Sequence, residues 1–400
     1  MKHTKLSFRV ILYFAIAALT SLPSISFGSG FGIFTQGASA LGQGAAVVAH
    51  SDSPEAIFYN PALLNDLPGT QVEVGTTLIF ADREFTSAAT GKKSETQDDV
   101  FYPSTFYLSH RFNETFSAGV GVFNPFGLAT TWPESWEGRY VATKSELTTF
   151  NINPVVSWRI TPKLSIAAGL DFVLLDSTLQ SRNIAFDVDQ KFEGSGNGLG
   201  YNLGLLLHAT DTLSIGVSYR SKVTIDVDGT LSMSILPEDI SGETTLTLPQ
   251  QVAVGIAYKP TDRLILEVGL RWEDWSSFDQ LKIEGAGQTL AVSPRNWRST
   301  FAFNAGGKYR INSRYAIHAG YLYGQNPVPD TTFDPSIPDS DVHLFCLGGE
   351  ARFGKVGLSM AYAYQLQEDR TKSTNHYGAF ANGEYDSDIH LLAMSLRYLF

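Results

Sequence analysis

From Leu164 to Leu174 the chain alternates strictly. Leu164, Ile166, Ala168, Leu170, Phe172 and Leu174 fall on one face, and Ser165, Ala167, Gly169, Asp171 and Val173 on the other. A period of two is that of a strand. It returns at Leu213, Ile215, Val217 and Tyr219, at Leu264, Leu266, Val268, Leu270 and Trp272, at Tyr315 to Tyr323 and at Val356 to Tyr364. Fourteen such segments begin near residues 71, 104, 116, 148, 164, 199, 213, 250, 264, 298, 314, 343, 356 and 389. Charge obeys the same alternation. One set of faces carries no Asp, Glu, Lys or Arg in mid-strand. The other carries Arg111, Arg159, Asp171, Arg220, Glu267, Arg271, Glu273, Lys308, Arg310, Glu350, Arg352 and Arg397. Water does not forbid charge on one face of every strand. A bilayer does, because a Lys or Arg at the midplane costs roughly 2–4 kcal/mol.

The connections sort by length. Six are short: Asn113-Glu114-Thr115, Thr161-Pro162-Lys163, Thr210-Asp211-Thr212, Lys259 to Asp262, Ile311-Asn312-Ser313 and Gly354-Lys355. Seven are long and rich in Pro, Gly, Asp and Ser. Short turns at one end and long loops at the other predict an all-β fold, a fourteen-stranded antiparallel transmembrane β-barrel over 71–400. Trp158, Tyr219, Tyr258, Trp272, Tyr309, Tyr364 and Tyr398 stand at strand ends, where aromatic girdles are expected. Only 17% of residues are charged, against roughly 25% in a soluble domain, and mean hydropathy is −0.04. Alternation averages to such a value, and a helical membrane protein does not. The net charge of −11 gives no basic stripe for nucleic acid. Cys346 is the only cysteine, which excludes an intrachain disulfide and a thiolate metal cluster.

Residues 1–28 have the layout of a signal peptide: Lys2, Lys5 and Arg9, an apolar run from Val10 to Leu19, Pro23, then small residues, with cleavage after Ser26 or Gly28. The apolar run is too short to span a bilayer. Residues 29–70 break the strand pattern with Gly37, Gly42, Gly44, Pro54 and Pro61 and predict short, broken helical turns. A barrel of fourteen strands lies between those filled by their own side chains and open porins. It would leak without a filler, and this partly helical N-terminal segment is the plug, or hatch, that the sequence offers.

The chain resembles the FadL/TodX-type outer-membrane transporters of long-chain fatty acids and other hydrophobic compounds. The resemblance rests on Gly37-Ala38-Ser39-Ala40-Leu41-Gly42, Ala56 to Leu63, Asn124 to Thr130, Gly138-Arg139-Tyr140, Lys144 to Leu147, Leu246 to Pro249, Trp272 to Phe278 and Pro335 to Asp339, in order along the mature chain. It implies passive uptake of a hydrophobic molecule, a long-chain fatty acid or an aromatic hydrocarbon, through a plugged lumen with a sideways exit near a kinked third strand. It implies a monomer in contact with outer-membrane lipids and lipopolysaccharide, with no cofactor, no metal and no nucleic acid. It assigns Asn60, Pro61 and Ala62 to a hatch motif that approaches the wall opening. Gly119, Gly121, Phe123 and Asn124 are candidates for the lateral gap. Arg159, Arg220 and Arg271 are candidates for meeting a carboxylate headgroup, with ion pairs to Asp171, Glu267 and Glu273 as the competing reading. The loops near 176–198 and 227–248 are expected to be shorter than the helical capture loops of the family.

Two other functions compete: a general porin for polar solutes, and a structural or adhesin barrel acting through its loops. An enzyme is not expected. No Gly-x-Ser-x-Gly elbow, His-Glu-x-x-His or phosphate loop occurs. His110 and His390, read as outward-facing, lack a partner Ser and acid. Asp187, Asp189, Glu193 and Asn197 do not have the spacing of a calcium loop.

Overall fold

The computed structural model describes residues 30–97, 100–285, 287–374 and 378–400. The expected signal peptide, 1–28, lies outside the described residues. The wall is built from fourteen strands, several of them in two pieces. They are β1 Thr70–Ser87, β2 Ser104–Arg111, β3 Phe116–Phe123 and Gly127–Thr131, β4 Lys144–Thr161, β5 Leu164–Asn183, β6 Val188–His208 and β7 Leu213–Arg220 and Val223–Met233. The rest are β8 Ile240–Leu248 and Gln251–Thr261, β9 Leu264–Glu273 and Gln280–Gly285, β10 Gln288–Pro294 and Thr300–Arg310, β11 Tyr315–Gly324, β12 Val342–Phe353, β13 Val356–Gln367 and β14 Gly383–Leu399. Each pairs antiparallel with its neighbours, and β14 closes on β1 from Leu399 opposite Gln71 to Gly383 opposite Ser87. Closure removes the unpaired edges that a bilayer would not tolerate.

The six short turns all lie at one end. Five use the same device. The side-chain oxygen of Asn113, Thr161, Thr210, Thr261 or Asn312 accepts from the backbone N–H groups two and three residues on. This is the local turn that Asn and Thr favour. The sixth places Gly354 at φ 62°, where glycine is unstrained. Both ends of the wall meet at the same rim, where the Phe400 N–H donates to the Thr70 carbonyl at 2.9 Å.

The outward faces carry Val156, Leu170, Val268, Ile317 and Leu347, each more than half exposed. On a soluble protein this band would be an aggregation surface; against lipid it is the solvated face. Trp158, Tyr258, Tyr309 and Tyr398 are exposed on it. The charged residues assigned inward by the alternation are inward.

The strands reach further than the alternation indicated. Residues 176–198 are not a loop: β5 runs to Asn183, β6 starts at Val188, and the two pair continuously. Residues 227–248 likewise form the upper pieces of β7 and β8 around a short turn. The pattern is hidden there by Gly194, Gly196 and Gly198. A Cβ at Gly194 or Gly198 would come within 2.8 Å of a β7 side chain, and one at Gly196 would overlap the Asp226 carbonyl.

Residues 35–49 and 53–65 are buried. They form α1, Ala38–Gly42, α2, Ala56–Tyr59, and a 3₁₀ turn at Pro61–Asp66. This segment rests on inward glycines of the wall. A Cβ at Gly216 would overlap the Val48 carbonyl, and one at Gly306 or Gly320 would overlap the Gln43 peptide. Toward the long connections, the lumen holds an apolar cluster around Phe31, Phe126, Trp132, Trp275, Trp297 and Phe333.

Candidate functional site

Strand β3 breaks at Asn124-Pro125-Phe126. Pro125 has no N–H to give the ladder. The lower piece pairs with β2 and β4, whereas the upper piece, Gly127–Thr131, makes its strand ladder with β4. Side chains replace the missing ladder. The Asn124 Oδ1 accepts from the Ser104 N–H of β2 at 3.2 Å, and its Nδ2 donates to the Thr149 carbonyl of β4 at 2.6 Å. The side-chain amide thus does what a peptide unit would have done. The Thr149 hydroxyl donates to the Phe126 carbonyl at 2.6 Å and accepts from its N–H at 3.1 Å. Above the break, an Arg83 guanidinium from β1 donates to the Ala129 carbonyl at 3.1 Å.

The N-terminal arm, residues 30–36, fills the remaining edge as a short strand would. The Ile33 N–H donates to the Pro125 carbonyl and the Gly127 N–H to the Phe31 carbonyl, both at 2.9 Å, with Gly32 opposite Phe126. The Gln36 amide donates to the Asn124 carbonyl at 2.5 Å. Phe31 ends among Trp275, Trp297, Phe278 and Phe126, its ring centroid 4.6 Å from that of Trp275.

Behind the arm is a small cavity of about 50 Å³ between the N-terminal segment and strands β7 to β11. Ala45, Val48, Phe58 and Tyr59 contribute from the segment, and Ser218, Arg220, Gln251, Arg271, Asn304 and Leu322 from the wall.

The segment is tied to the wall by charge. The Asp52 carboxylate meets Lys308 at 2.8 Å, Arg352 at 2.5 Å and Arg310 at 3.4 Å, and the Asp52 carbonyl accepts from Arg397. Burial alone would raise the Asp52 carboxyl. The cations of Lys308, Arg397 and Arg352 outweigh it and hold the group well below the ordinary value of 3.8. Glu267 of β9 accepts from the Val48 and Ala49 N–H groups at 2.6 and 3.0 Å and meets His50 at 2.7 Å. Glu55 is the opposite case to Asp52. Burial, and then the neighbouring Glu73 and Glu350, push its carboxyl well above 4.5, which favours the neutral form.

The expected site residues fall in three places. Asn60, Pro61 and Ala62 pack toward β4 and β6 rather than at the break. The Asn60 Nδ2 donates to the Leu205 carbonyl at 3.0 Å and to the Val48 carbonyl at 2.8 Å, and Ser157 donates to the Ala62 carbonyl at 3.3 Å. The residues facing the lower piece of β3 are Ile57 and Leu64. A Cβ at Gly119 would lie 2.7 Å from Ile57 and 3.3 Å from Leu64, and one at Gly121 would lie 3.1 Å from Ile57. These glycines make room for the segment. Phe123 points inward against Phe58, with ring centroids 5.2 Å apart, and Asn124 lies at the break itself. Arg159 is at the short-turn end, paired to Asp66 at 2.5 Å. Arg220 is paired to Asp171. Arg271 and Arg220 line the cavity. His110 and His390 face outward, bonded to the hydroxyls of Thr70 and Tyr362 at 2.7 and 2.8 Å. Gln36, Thr149, Arg83 and Asp52 were not anticipated. Asp52 carried the one available signal, an acid in a segment of few charges opposite a wall rich in inward cations.

This geometry can be set beside known proteins. The family model described as "Outer membrane protein transport protein (OMPP1/FadL/TodX)" matches residues 19–400. The chain belongs to the FadL/TodX family. Family membership makes it an outer-membrane transport protein and not an enzyme. The Escherichia coli long-chain fatty acid transport protein is 23% identical, over 96% of this chain and 98% of its own. The crystal structure of a Pseudomonas aeruginosa FadL homologue superposes with a TM-score of 0.85 at 20% identity, covering 93% of this chain and 100% of that one. The Pseudomonas putida toluene transporter TodX gives 0.76 at 17% identity, over 93% and 99%. In this FadL/TodX chain, the fold and the broken third strand stand together.

Proposed function

We propose that this barrel takes up hydrophobic molecules, long-chain fatty acids or aromatic hydrocarbons, and releases them sideways into the membrane at the break in β3. Residues 29–70 act as the hatch. The observation that carries the reading is the break itself. There, wall pairing is replaced by the N-terminal arm, Gly30 to Gln36, and by the Asn124 side chain. An apolar solute gains roughly 0.8 kcal/mol per CH₂ on leaving water, so an exit into the bilayer core needs no energy beyond binding and the gradient. The apolar upper lumen and the cavity behind the arm supply a path of matching chemistry. Gly119, Gly121 and Phe123 line the inner side of the gap, and Asn124 closes it. Asn60, Pro61 and Ala62 hold the hatch against β4 and β6. Arg220 and Arg271 are the headgroup candidates; Arg159 anchors the hatch instead. The protein works as a monomer among outer-membrane lipids and lipopolysaccharide.

A polar-solute porin fits less well, because a hatch buried over residues 35–49 and 53–65 occupies the route that such a porin keeps open. The test is uptake by cells expressing the protein, with labelled long-chain fatty acid and labelled toluene against an empty-vector strain. Faster entry of either supports the reading. Entry of neither, with a steady large conductance in planar bilayers, defeats it.

A further inference from the structure

Gly30 opens the N-terminal arm beside a buried carboxylate. Its N–H donates to the Asp339 Oδ2 at 2.8 Å. Gly30 is wedged between two indoles: a Cβ there would lie 2.9 Å from both Trp275 and Trp297, and its φ of 60° suits glycine. Asp339 stands in the connection from β11 to β12 and is 5% exposed. No ion pair to its carboxylate is formed among the described residues. Arg370 is close by, but its guanidinium donates to the Asp339 and Val328 carbonyls and to the Asp330 carboxylate. The Gln367 Nε2 reaches the other Asp339 oxygen at 3.4 Å, and the Gln367 Oε1 is buried with no donor. Burial pushes the Asp339 carboxyl up to about 7, against the opposing pull of the Gly30 N–H and Arg370.

A buried carboxylate next to an unsatisfied acceptor needs a donor that carries positive charge and more than one N–H. An ammonium has three. The sequence can supply one. Ser26-Phe27-Gly28 has small residues at its first and third positions, as a signal-peptidase site requires. Cleavage after Gly28 leaves Ser29 at the amino terminus, directly before Gly30. Successive Cα atoms are about 3.8 Å apart, so the new α-amino group is one peptide unit from the N–H that already holds Asp339. Cleavage after Ser26 would leave two more residues and carry the charge up to roughly 7 Å further along the chain.

We infer that cleavage after Gly28 creates the counter-ion of Asp339: the α-ammonium of Ser29 pairs with this carboxylate and donates to the Gln367 Oε1. The inference names no ligand and stands apart from the transport reading. Water hydrolyses the Gly28–Ser29 peptide bond, Gly28 leaves as a carboxylate and the Ser29 amine takes up the proton. Processing thereby converts an uncompensated buried acid into an ion pair with charge-assisted hydrogen bonds. It fixes the start of the arm to the β11–β12 connection. An uncut chain offers an amide there, with a single N–H and no charge.

The test uses the full-length protein purified from outer membranes in detergent. Intact mass and N-terminal sequencing should give Ser29 as the first residue; a start at Phe27 or elsewhere would overturn the inference. The α-amine is then labelled with trace acetic anhydride at pH 7.5 and the extent read by mass spectrometry of the N-terminal peptide. A carboxylate partner keeps an amine protonated, so wild type should react roughly tenfold more slowly than Asp339→Asn. A Gly inserted between Ser29 and Gly30 keeps Asp339 but moves the amine by one residue, and it should regain reactivity likewise. Recovery in the insertion variant supports the pair even where Asp339→Asn does not fold. Equal reactivity in wild type and both variants would overturn it. A gain in Asp339→Asn without one in the insertion variant would overturn it too, because that pattern marks a loosened connection rather than a lost partner.

Discussion

Asn124 is the residue on which the wall of this barrel depends at its weakest point. Its side chain reaches both neighbouring strands, donating to Thr149 and accepting from Ser104. Asn124→Ala removes both bonds and leaves a buried carbonyl and an N–H without partners, at about 1–3 kcal/mol each. The expected outcome is a wall that opens more readily: a raised single-channel conductance in planar bilayers and a lower thermal midpoint of the barrel. Conductance equal to wild type would remove the stitch from the account. Glu55 makes a prediction of opposite character. Its carboxyl is held above 4.5 by burial and by Glu73 and Glu350. The folded protein therefore keeps a proton that the unfolded chain loses once pH passes the ordinary carboxylate value. The stability tied to this group falls as pH rises through that window. Glu55→Gln mimics the neutral form and should flatten the dependence. Thermal midpoints at pH 6 and pH 9 should differ less in the variant than in wild type; an equal difference would show that another group carries the effect.

At the scale of elements, the hatch and β3 are one device. The sequence already marks half of it, because Pro125 within a strand pattern signals a break in pairing. The other half depends on residues that meet only after folding. Gln36, Thr149 and Arg83 lie in three different segments, and none has a local pattern that distinguishes it from an ordinary polar side chain. The same limit explains the motif Asn60-Pro61-Ala62. Its turn chemistry was legible, with the Asn60 side chain accepting from the Ala62 N–H, but its docking against β4 and β6 was not. Asp52 fixes the hatch to the lower wall through Lys308, Arg310 and Arg352. Removing one partner of a buried ion cluster costs about 3–5 kcal/mol, because the others are left uncompensated. Asp52→Ala should therefore loosen the hatch and give a leaky channel, read as a steady conductance or as sensitivity of expressing cells to a hydrophilic antibiotic. The Asp52 carboxyl is held below 3.8. Its anchoring should persist above that value and be lost as pH falls through the lowered folded value, so wild type should also leak in strong acid.

At the scale of the whole molecule, the lipid-facing surface explains why so much was readable in advance. Every strand is tested by the same solvent on the same face, so the penalty for charge repeats fourteen times and writes a pattern no single strand could. Above the lipid that test disappears. There β5 to β8 continue as ladders whose glycines are set by contact between strands, and the alternation fades although the strands do not. On β9 the two regimes sit side by side. Val268 faces lipid, 56% exposed, and Glu267 faces the hatch, 1% exposed. Val268→Arg should cost roughly 2–4 kcal/mol and reduce the yield of folded, heat-modifiable barrel. Glu267→Gln should assemble normally yet weaken the grip on Val48 and Ala49, read as increased conductance. Equal assembly yields for Val268→Arg and wild type would contradict the placement of the lipid face.

The central claim is that a hydrophobic molecule leaves through the break in β3 when the arm withdraws. Gly32 and Phe126 face each other across that break as a non-hydrogen-bonded antiparallel pair. Such pairs have Cα atoms about 4.5 Å apart, within the roughly 4.4–6.8 Å range of a disulfide. A Gly32→Cys, Phe126→Cys protein with Cys346→Ser can therefore be tethered reversibly. Uptake of labelled palmitate by cells expressing it is the direct measurement. The account predicts that oxidation stops uptake and that a reductant restores it. Uptake that continues unchanged with the disulfide fully formed would contradict it.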